Sequence, residues 1–194
     1  MKLPKRFEKR LLSTLIAAAL MSAAGMLQTA GASELIYYAG TARLCAVSPN
    51  MFDPPKVKGN NGALYMDDLV QVWQIHSPDA ELMQGPEVMI TVWKQTKSGV
   101  TFQSGELVMT PYSYEGIGAF EEKFKIKLDG SDITGIYKGT GALKGVTATY
   151  HLEGPIPAPE YFCDVDFDWA SLCPECVPLP FPNGYEMSGW IEGY

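Results

Sequence analysis

A single glutamate stands within the apolar face of one predicted strand. In AFEEKFKIKL (119–128), Glu122 shares its face with four apolar side chains: Phe120, Phe124, Ile126 and Leu128. This period of two predicts an antiparallel strand with one buried and one solvated face. A buried carboxyl group would have a raised pKa, which suits acid–base catalysis or binding of a cationic ligand. A β-bulge near Gly118 would instead turn Glu122 to solvent, and this alternative stays open.

An acidic run near the C-terminus has the ligand spacing of a calcium loop. In DVDFDWASLCPE (164–175), oxygen donors stand at the EF-hand positions for Asp164, Asp166, Asp168 and Glu175. The position that an EF-hand reserves for glycine is Trp169, and Pro174 lies within the run. A short strand with solvated aspartates is the alternative. Calcium is the one metal that this pattern suggests, and no other cofactor is expected.

The first 32 residues have the organisation of a secretory signal peptide. Five basic residues and one acidic residue are followed by an apolar stretch, 11–27, and by the small-x-small pattern of 30–32. A membrane anchor is the alternative, although the apolar stretch is short and rich in alanine. Without this segment the formal charge falls from −7 to −11, which argues against binding to nucleic acid. We therefore expect a periplasmic or secreted protein that has no membrane span after cleavage.

Four cysteines lie beyond this segment: Cys45, Cys163, Cys173 and Cys176. An even number in an exported chain predicts disulfides. Of the three pairings we favour Cys45–Cys163 with Cys173–Cys176. The C-x-x-C spacing also permits a redox site, but the prolines at 178, 180 and 182 exclude the helix that a thioredoxin-like site needs. A zinc site with His151 would require thiolates that stay reduced outside the cytosol.

Alternation with period two recurs along the chain, and it predicts the elements that must position these residues. Segments rich in β-branched and aromatic residues occur at 34–47, 64–75, 87–95, 100–110 and 119–128. In 87–95, Val88, Ile90 and Val92 share one face. Glycine, asparagine and aspartate turns separate the segments. Seven or eight short strands predict an all-β, antiparallel, up-and-down sheet that closes or packs on another to protect its edges.

A glycine-rich stretch, GTGALKG (139–145), raises the question of a phosphate-binding loop. Its spacing is G-x-G-x-x-x-G, and the segment after it, VTATYHLEG (146–154), alternates as a strand does. A dinucleotide fingerprint needs G-x-G-x-x-G followed by a helix. The glycines therefore predict a β-hairpin in which they permit tight bending.

This hairpin, ITGIYKGTGALKGVTATYHLEG (133–154), resembles the late hairpin of the allene oxide cyclase and dirigent-like β-barrels. Gly139, Gly141 and Gly145 match the glycines of the GGTGxFxGAxG-type segment of those families, whereas Leu143 replaces its aromatic residue. The glycine that follows in the family pattern is missing from 147–149. The resemblance implies an eight-stranded, calycin-like barrel for residues 33–154. No catalytic residue of the cyclases can be matched, so no function is transferred.

Residues 155–194 differ in composition from the rest of the chain. Seven prolines lie between 155 and 182, together with three cysteines and several aromatic residues. This composition predicts an extension that disulfides hold against the barrel. Its last stretch, 185–194, can add a final strand after the Asn183–Gly184 turn.

A small barrel has a lumen that either side chains or one small ligand can fill. We expect binding of a small apolar or amphipathic molecule there, with candidate ligand-binding residues Tyr65, Trp73, His76, Trp93 and Phe120. Core aromatic residues and a surface histidine are the alternatives for this set. A cofactor-free cyclase or isomerase using Glu122 is a second hypothesis. A structural protein that docks a partner protein through its extension is a third. The sequence leaves the ligand and the oligomeric state open.

Overall fold

The structure is a computed structural model that describes residues 34–58, 62–130, 132–156 and 162–194. The predicted signal peptide, 1–32, lies outside the described residues. No helix in the described part of the chain is long and apolar enough to cross a bilayer.

The described residues form ten strands. These are β1 (Ile36–Val47), β2 (Lys56–Lys58), β3 (Ala63–His76), β4 (Gly85–Gln95), β5 (Thr101–Met109), β6 (Gly118–Leu128), β7 (Ile133–Gly141), β8 (Thr147–Ile156), β9 (Val177–Pro178) and β10 (Gly184–Glu192). One short helix, α1, spans Trp169–Leu172, and 3-10 turns span Pro49–Phe52, Glu81–Met83 and Tyr112–Tyr114. The segments in which apolar and polar residues alternate therefore form strands in the structure.

Eight of the strands close into an antiparallel barrel. Their order around the wall is β1, β3, β4, β5, β6, β7, β8 and β10, and β10 pairs with β1 to complete the circle. The two short strands lie beside this wall, since β2 pairs with β3 and β9 pairs with β1. The predicted all-β, up-and-down, eight-stranded barrel is confirmed.

The eighth wall strand comes from the C-terminal segment. In the register, Ser188 of β10 stands opposite Ala39 of β1 on one side and His151 of β8 on the other. The barrel therefore continues past residue 154, where composition placed its boundary, and residues 184–192 belong to the wall. This strand begins directly after Asn183, at the turn that the sequence suggested.

Side chains from the inner faces of the strands fill the core of the barrel. On β4 the inner face is the more polar one. Glu87 and Thr91 are buried, at 4% and 1% exposure, whereas Ile90 on the opposite face is 56% exposed. The apolar face of Val88, Ile90 and Val92 is thus turned outward. From the sequence alone, a strand face that carries a carboxyl group is predicted to be the solvated face, and here that face points into the core.

Both favoured disulfides are present, Cys45–Cys163 and Cys173–Cys176, and the described residues contain no free cysteine. The first joins β1 to the segment before α1. Asp164 reinforces this junction because it forms an ion pair with Arg43 at 3.1 Å and accepts a hydrogen bond from Gln74 at 2.7 Å. The C-terminal segment is therefore held to β1 and β3 by covalent and polar contacts.

Candidate functional site

The barrel wall is interrupted between β6 and β7. These strands pair at four positions, from Gly118 opposite Gly141 to Glu121 opposite Lys138. By comparison, β3 and β4 pair at ten positions and β5 and β6 at nine. Residues 122–128 of β6 and 133–137 of β7 do not pair with each other. We call this stretch the wall opening, and an open groove of about 1150 Å³ follows it on the outside.

Glu122 stands where the pairing of β6 with β7 stops. Its carboxylate accepts hydrogen bonds from the Tyr150 hydroxyl and from the backbone N–H of Ile136. Since Lys138 pairs with Glu121, the same register would place Ile136 opposite Lys123. The Glu122 carboxylate therefore accepts the hydrogen bond that the Ile136 N–H would otherwise donate to the backbone of β6. The register between β5 and β6 is continuous through this region, so no bulge turns Glu122 outward.

A second carboxyl group lies deeper in the lumen. Glu87 of β4 accepts a hydrogen bond from the Tyr137 hydroxyl at 2.5 Å. The Tyr137 ring lies 4.7 Å from the ring of Tyr150, whose hydroxyl bonds Glu122. These four residues, Glu87, Tyr137, Tyr150 and Glu122, form a continuous group that we call the carboxyl–tyrosine cluster. It runs from the lumen to the wall opening.

Burial controls the protonation of the cluster. Burial raises the pKa of Glu87 to about 7, against the lowering effect of the Tyr137 hydrogen bond, and the charge of Glu122 raises it further. Burial also raises the pKa of Glu122, opposed by its bonds from Tyr150 and Ile136. Burial and the nearby carboxylates raise the pKa of both tyrosines, which remain hydrogen-bond donors. The cluster can therefore gain or lose a proton near neutral pH.

Gly135 makes this geometry available. It pairs with Tyr150 in the β7–β8 ladder, and a Cβ atom at this position would lie 2.3 Å from Cζ and Oη of Tyr150. Real atoms do not approach so closely, so any side chain would displace the ring. The absence of a side chain lets Tyr150 lie over β7 and direct its hydroxyl toward Glu122.

The rest of the lumen is nearly filled. A cavity of about 50 Å³ remains, bordered by Trp73, Glu87, Tyr137, Tyr150 and Tyr185, among others. That volume holds a few water molecules. A larger molecule has room in the groove outside the wall opening.

The five predicted ligand-binding residues are dispersed over the barrel. Trp73 borders the lumen cavity and donates to Gln71 at 3.2 Å. Phe120 is fully buried in the core. Tyr65 is half-buried, with the Nζ atoms of Lys58 and Lys94 over its ring at 5.5 and 5.3 Å. Trp93 is half-buried and stands opposite Gln103 near one end of the barrel.

The histidines lie in a different place from the cluster. His76 ends β3 and, together with His151, lines a second open groove of about 560 Å³ on the outer surface. His151 lies 3.3 Å from Glu153 and 3.5 Å from Asp132. His76 and Glu122 therefore line different grooves, and the role of His76 in ligand binding stays a prediction.

The acidic run makes protein contacts. Asp164 pairs with Arg43, and Asp168 accepts a hydrogen bond from the N–H of Ser171 as the N-cap of α1. Asp166 and Glu175 are exposed. Within the described ranges no group of three or more histidine, cysteine, aspartate or glutamate residues is arranged to hold a metal ion. Calcium binding stays a prediction.

Three members of the cluster, Glu87, Tyr137 and Tyr150, were not predicted from the sequence. Glu87 is in phase with Met89 and Thr91, on the less apolar face of β4, which resembles a solvated face. Tyr137 and Tyr150 resemble ordinary core aromatic residues. A usable signal was the glycine at 135 in the hairpin, since a glycine inside a strand marks a place where another group approaches closely.

Comparison of the chain with protein-family models, with curated proteins and with solved structures found no match. The fold and site therefore define the class: a small antiparallel β-barrel of eight strands, with two carboxyl groups beside an interrupted wall. The resemblance to allene oxide cyclase and dirigent-like proteins is supported at the level of the barrel alone.

Proposed function

We propose that the protein is an exported barrel that binds a small amphipathic molecule at the wall opening, with the polar group of the molecule against Glu122 and Tyr150. One observation carries this proposal. Oε2 of Glu122 is buried and has no hydrogen-bond partner among the described residues. A buried polar atom without a partner costs about 1–3 kcal/mol, so its position at the floor of a groove favours a role in binding.

The lining of the groove supports an amphipathic ligand. Val108 and Ile136 provide apolar surface, since they are 41% and 51% exposed. Glu106 and Lys123 form an ion pair at 2.5 Å on its rim. An apolar tail can therefore lie along the groove while the polar group reaches the edge of the lumen. The small lumen cavity favours this placement over one in which the whole molecule is enclosed.

Export is part of the proposal. The basic and apolar pattern of residues 1–32 supports it. Two disulfides support it as well, because such bonds persist in oxidising compartments. A periplasmic or secreted protein of this kind would meet its ligand outside the cytosol.

A matched pair of variants tests the binding site. Ile136→Lys places a charge in the groove, and Ile90→Lys places the same charge on the closed wall, where Ile90 is similarly exposed. With the neutral fluorescent probe Nile red and with any ligand found by native mass spectrometry, we expect at least tenfold weaker binding for Ile136→Lys alone. Equal affinities for both variants would refute the proposed site.

The enzyme hypothesis has a specific observation in its favour, namely a buried carboxyl group, Glu87, with a pKa of about 7. A group that titrates near neutral pH is suited to general acid–base catalysis. If the bound molecule is converted, Glu122→Gln and Glu87→Gln should each lower turnover by roughly 10²–10⁴-fold. Turnover that survives both substitutions would remove the catalytic role and leave binding.

A further inference from the structure

We infer that the polar group of the ligand is an ammonium group, which Glu122 and Tyr150 hold at the wall opening in front of Glu87. This inference rests on the proposed binding function and names the chemical class of its ligand. It is carried by the charges and hydrogen bonds of the carboxyl–tyrosine cluster.

The first observation is that no positively charged side chain of the described residues forms an ion pair with the cluster. The ion pairs of the described residues involve Arg43, Lys58, Lys123, Lys127 and His151, and none of them includes Glu87 or Glu122. Buried acidic groups are nearly always paired or protonated. Two carboxyl groups, of which Glu122 raises the pKa of Glu87, therefore need either a proton or a positive charge from outside the chain.

The second observation is the buried Oε2 of Glu122, which can be satisfied by a hydrogen-bond donor. An ammonium group has three donors and no acceptor, and a charged donor forms the stronger bond with a carboxylate. A carboxylate ligand would instead add a third negative group.

The alternative to a ligand cation is a proton, and the two must compete. Glu122 interacts with Glu87 of β4 and Tyr150 of β8, and Glu87 also interacts with Tyr137 of β7 and Tyr38 of β1. The charged groups on the rim are Glu106 of β5, Glu121 and Lys123 of β6, and Lys138 of β7. Of these, the two inner carboxyl groups have raised pKa values. Binding of an ammonium group should therefore release a proton near neutral pH, and its affinity should rise from pH 6 to pH 8.

Three probes with the same tail separate the head groups: octylammonium chloride, 1-octanol and sodium octanoate. Isothermal titration calorimetry on the mature, disulfide-bonded protein measures each below its aggregation limit. We expect octylammonium to bind at least tenfold more tightly than octanol, with octanoate weakest. The binding enthalpy should depend on the ionisation enthalpy of the buffer, which reports the released proton without any variant.

Two variants complete the test. Glu122→Gln keeps the shape of the side chain and should weaken octylammonium binding by about 10- to 100-fold, the usual effect of losing a charge-assisted bond. Glu81→Gln removes one exposed carboxylate from the 3-10 turn Glu81–Met83, which does not line the groove, and should change binding less than threefold. Melting curves for both show that they fold.

The outcomes separate this inference from the proposed function. If octanol binds as tightly as octylammonium, or if Glu122→Gln has no effect, the ammonium inference is wrong while binding at the opening stands. If none of the three probes binds, and Ile136→Lys does not alter binding of the fluorescent probe, the proposed function fails and the inference fails with it.

Discussion

Between β3 and β6 the strands of the barrel wall pair along most of their length, whereas β6 and β7 pair at one end only. The closed part pairs at ten, nine and nine positions across its three strand junctions, whereas the β6–β7 junction pairs at four. Neither 122–128 nor 133–137 contains a proline that would explain the difference. The difference coincides with a carboxylate, Glu122, that bonds the amide of Ile136 in place of β6.

The comparison shows how a barrel can place a charged group between two strands. Backbone pairing is lost over several residues, and Oε2 of Glu122 has no hydrogen-bond partner within the described part of the chain. Arrangements that lower stability in this way are expected at functional sites, where local rules are broken and the rest of the fold compensates. The closed part of the wall supplies that compensation through its longer ladders.

Hydrogen exchange should give the largest contrast between the two parts of the wall. We expect the amides of 123–128 and 133–137 that point to the opening to exchange roughly 100-fold faster, or more, than the paired amides of 88–92. Ile136 is the exception, because the carboxylate of Glu122 holds its amide. Amide-resolved exchange measured by NMR checks this.

Glu122→Ala sharpens that measurement. It should bring the Ile136 amide to the fast rate of its neighbours and leave the amides of 88–92 unchanged. Uniformly slow exchange across the β6–β7 junction would mean that the wall is closed in solution.

A matched pair of truncations compares the stability of the two parts. Ile75 of β3 is buried in the closed part, and Ile136 of β7 is half-exposed at the opening. Ile75→Ala should lower the free energy of unfolding by about 2–5 kcal/mol, since it removes a buried side chain and leaves a cavity. Ile136→Ala should lower it by less than about 1 kcal/mol. Urea titrations monitored by tryptophan fluorescence supply both values, and equal losses would contradict the distinction.

The pH dependence of stability should report Glu87. Burial raises the pKa of Glu87 from its ordinary value of 4.5 to about 7 in the folded protein, so the folded state binds the extra proton between these pH values. Stability should therefore fall as the pH rises from about 4.5 to 7, and the contribution of Glu87 to that fall is about 3 kcal/mol. Glu87→Gln should remove this slope. Parallel pH profiles for the two proteins would show that Glu87 does not titrate in this range.

The fold was largely accessible from the sequence because alternation and turns are local signals. The hairpin 133–154 predicted β7 and β8 directly from its glycines and alternation. The disulfide pairing also followed, because Cys45 and Cys163 tie two ends of the chain that a barrel brings together. The role of β10 was harder to predict. This short strand follows a proline-rich stretch, and it closes the barrel because it pairs with both β8 and β1.

The site was accessible in part. Glu122 stood out because it interrupts an apolar face, and the structure places it at the wall opening. Glu87 could not stand out, because a carboxyl group on the inner face of β4 has the same local pattern as one in solvent. The wall opening depends on the hydrogen bond between the Glu122 carboxylate of β6 and the Ile136 amide of the neighbouring strand β7. That contact cannot be read from the sequence of either strand alone.

The last comparison concerns Gly135, which positions the ring of Tyr150. Gly135→Ala should push the Tyr150 ring away, at a cost of roughly 1–2 kcal/mol, because the new Cβ atom would meet Cζ and Oη at 2.3 Å. Loss of the Tyr150 hydrogen bond should raise the pKa of Glu122 further, since that bond lowers it. In a Tyr150→Leu background the ring is gone, and the same substitution should become neutral or stabilising, because alanine loses less chain entropy than glycine. A double-mutant cycle on unfolding free energies, with NMR titration of the Glu122 carboxyl carbon, measures both effects. Equal costs of Gly135→Ala in the two backgrounds would show that the glycine serves the backbone and does not position Tyr150.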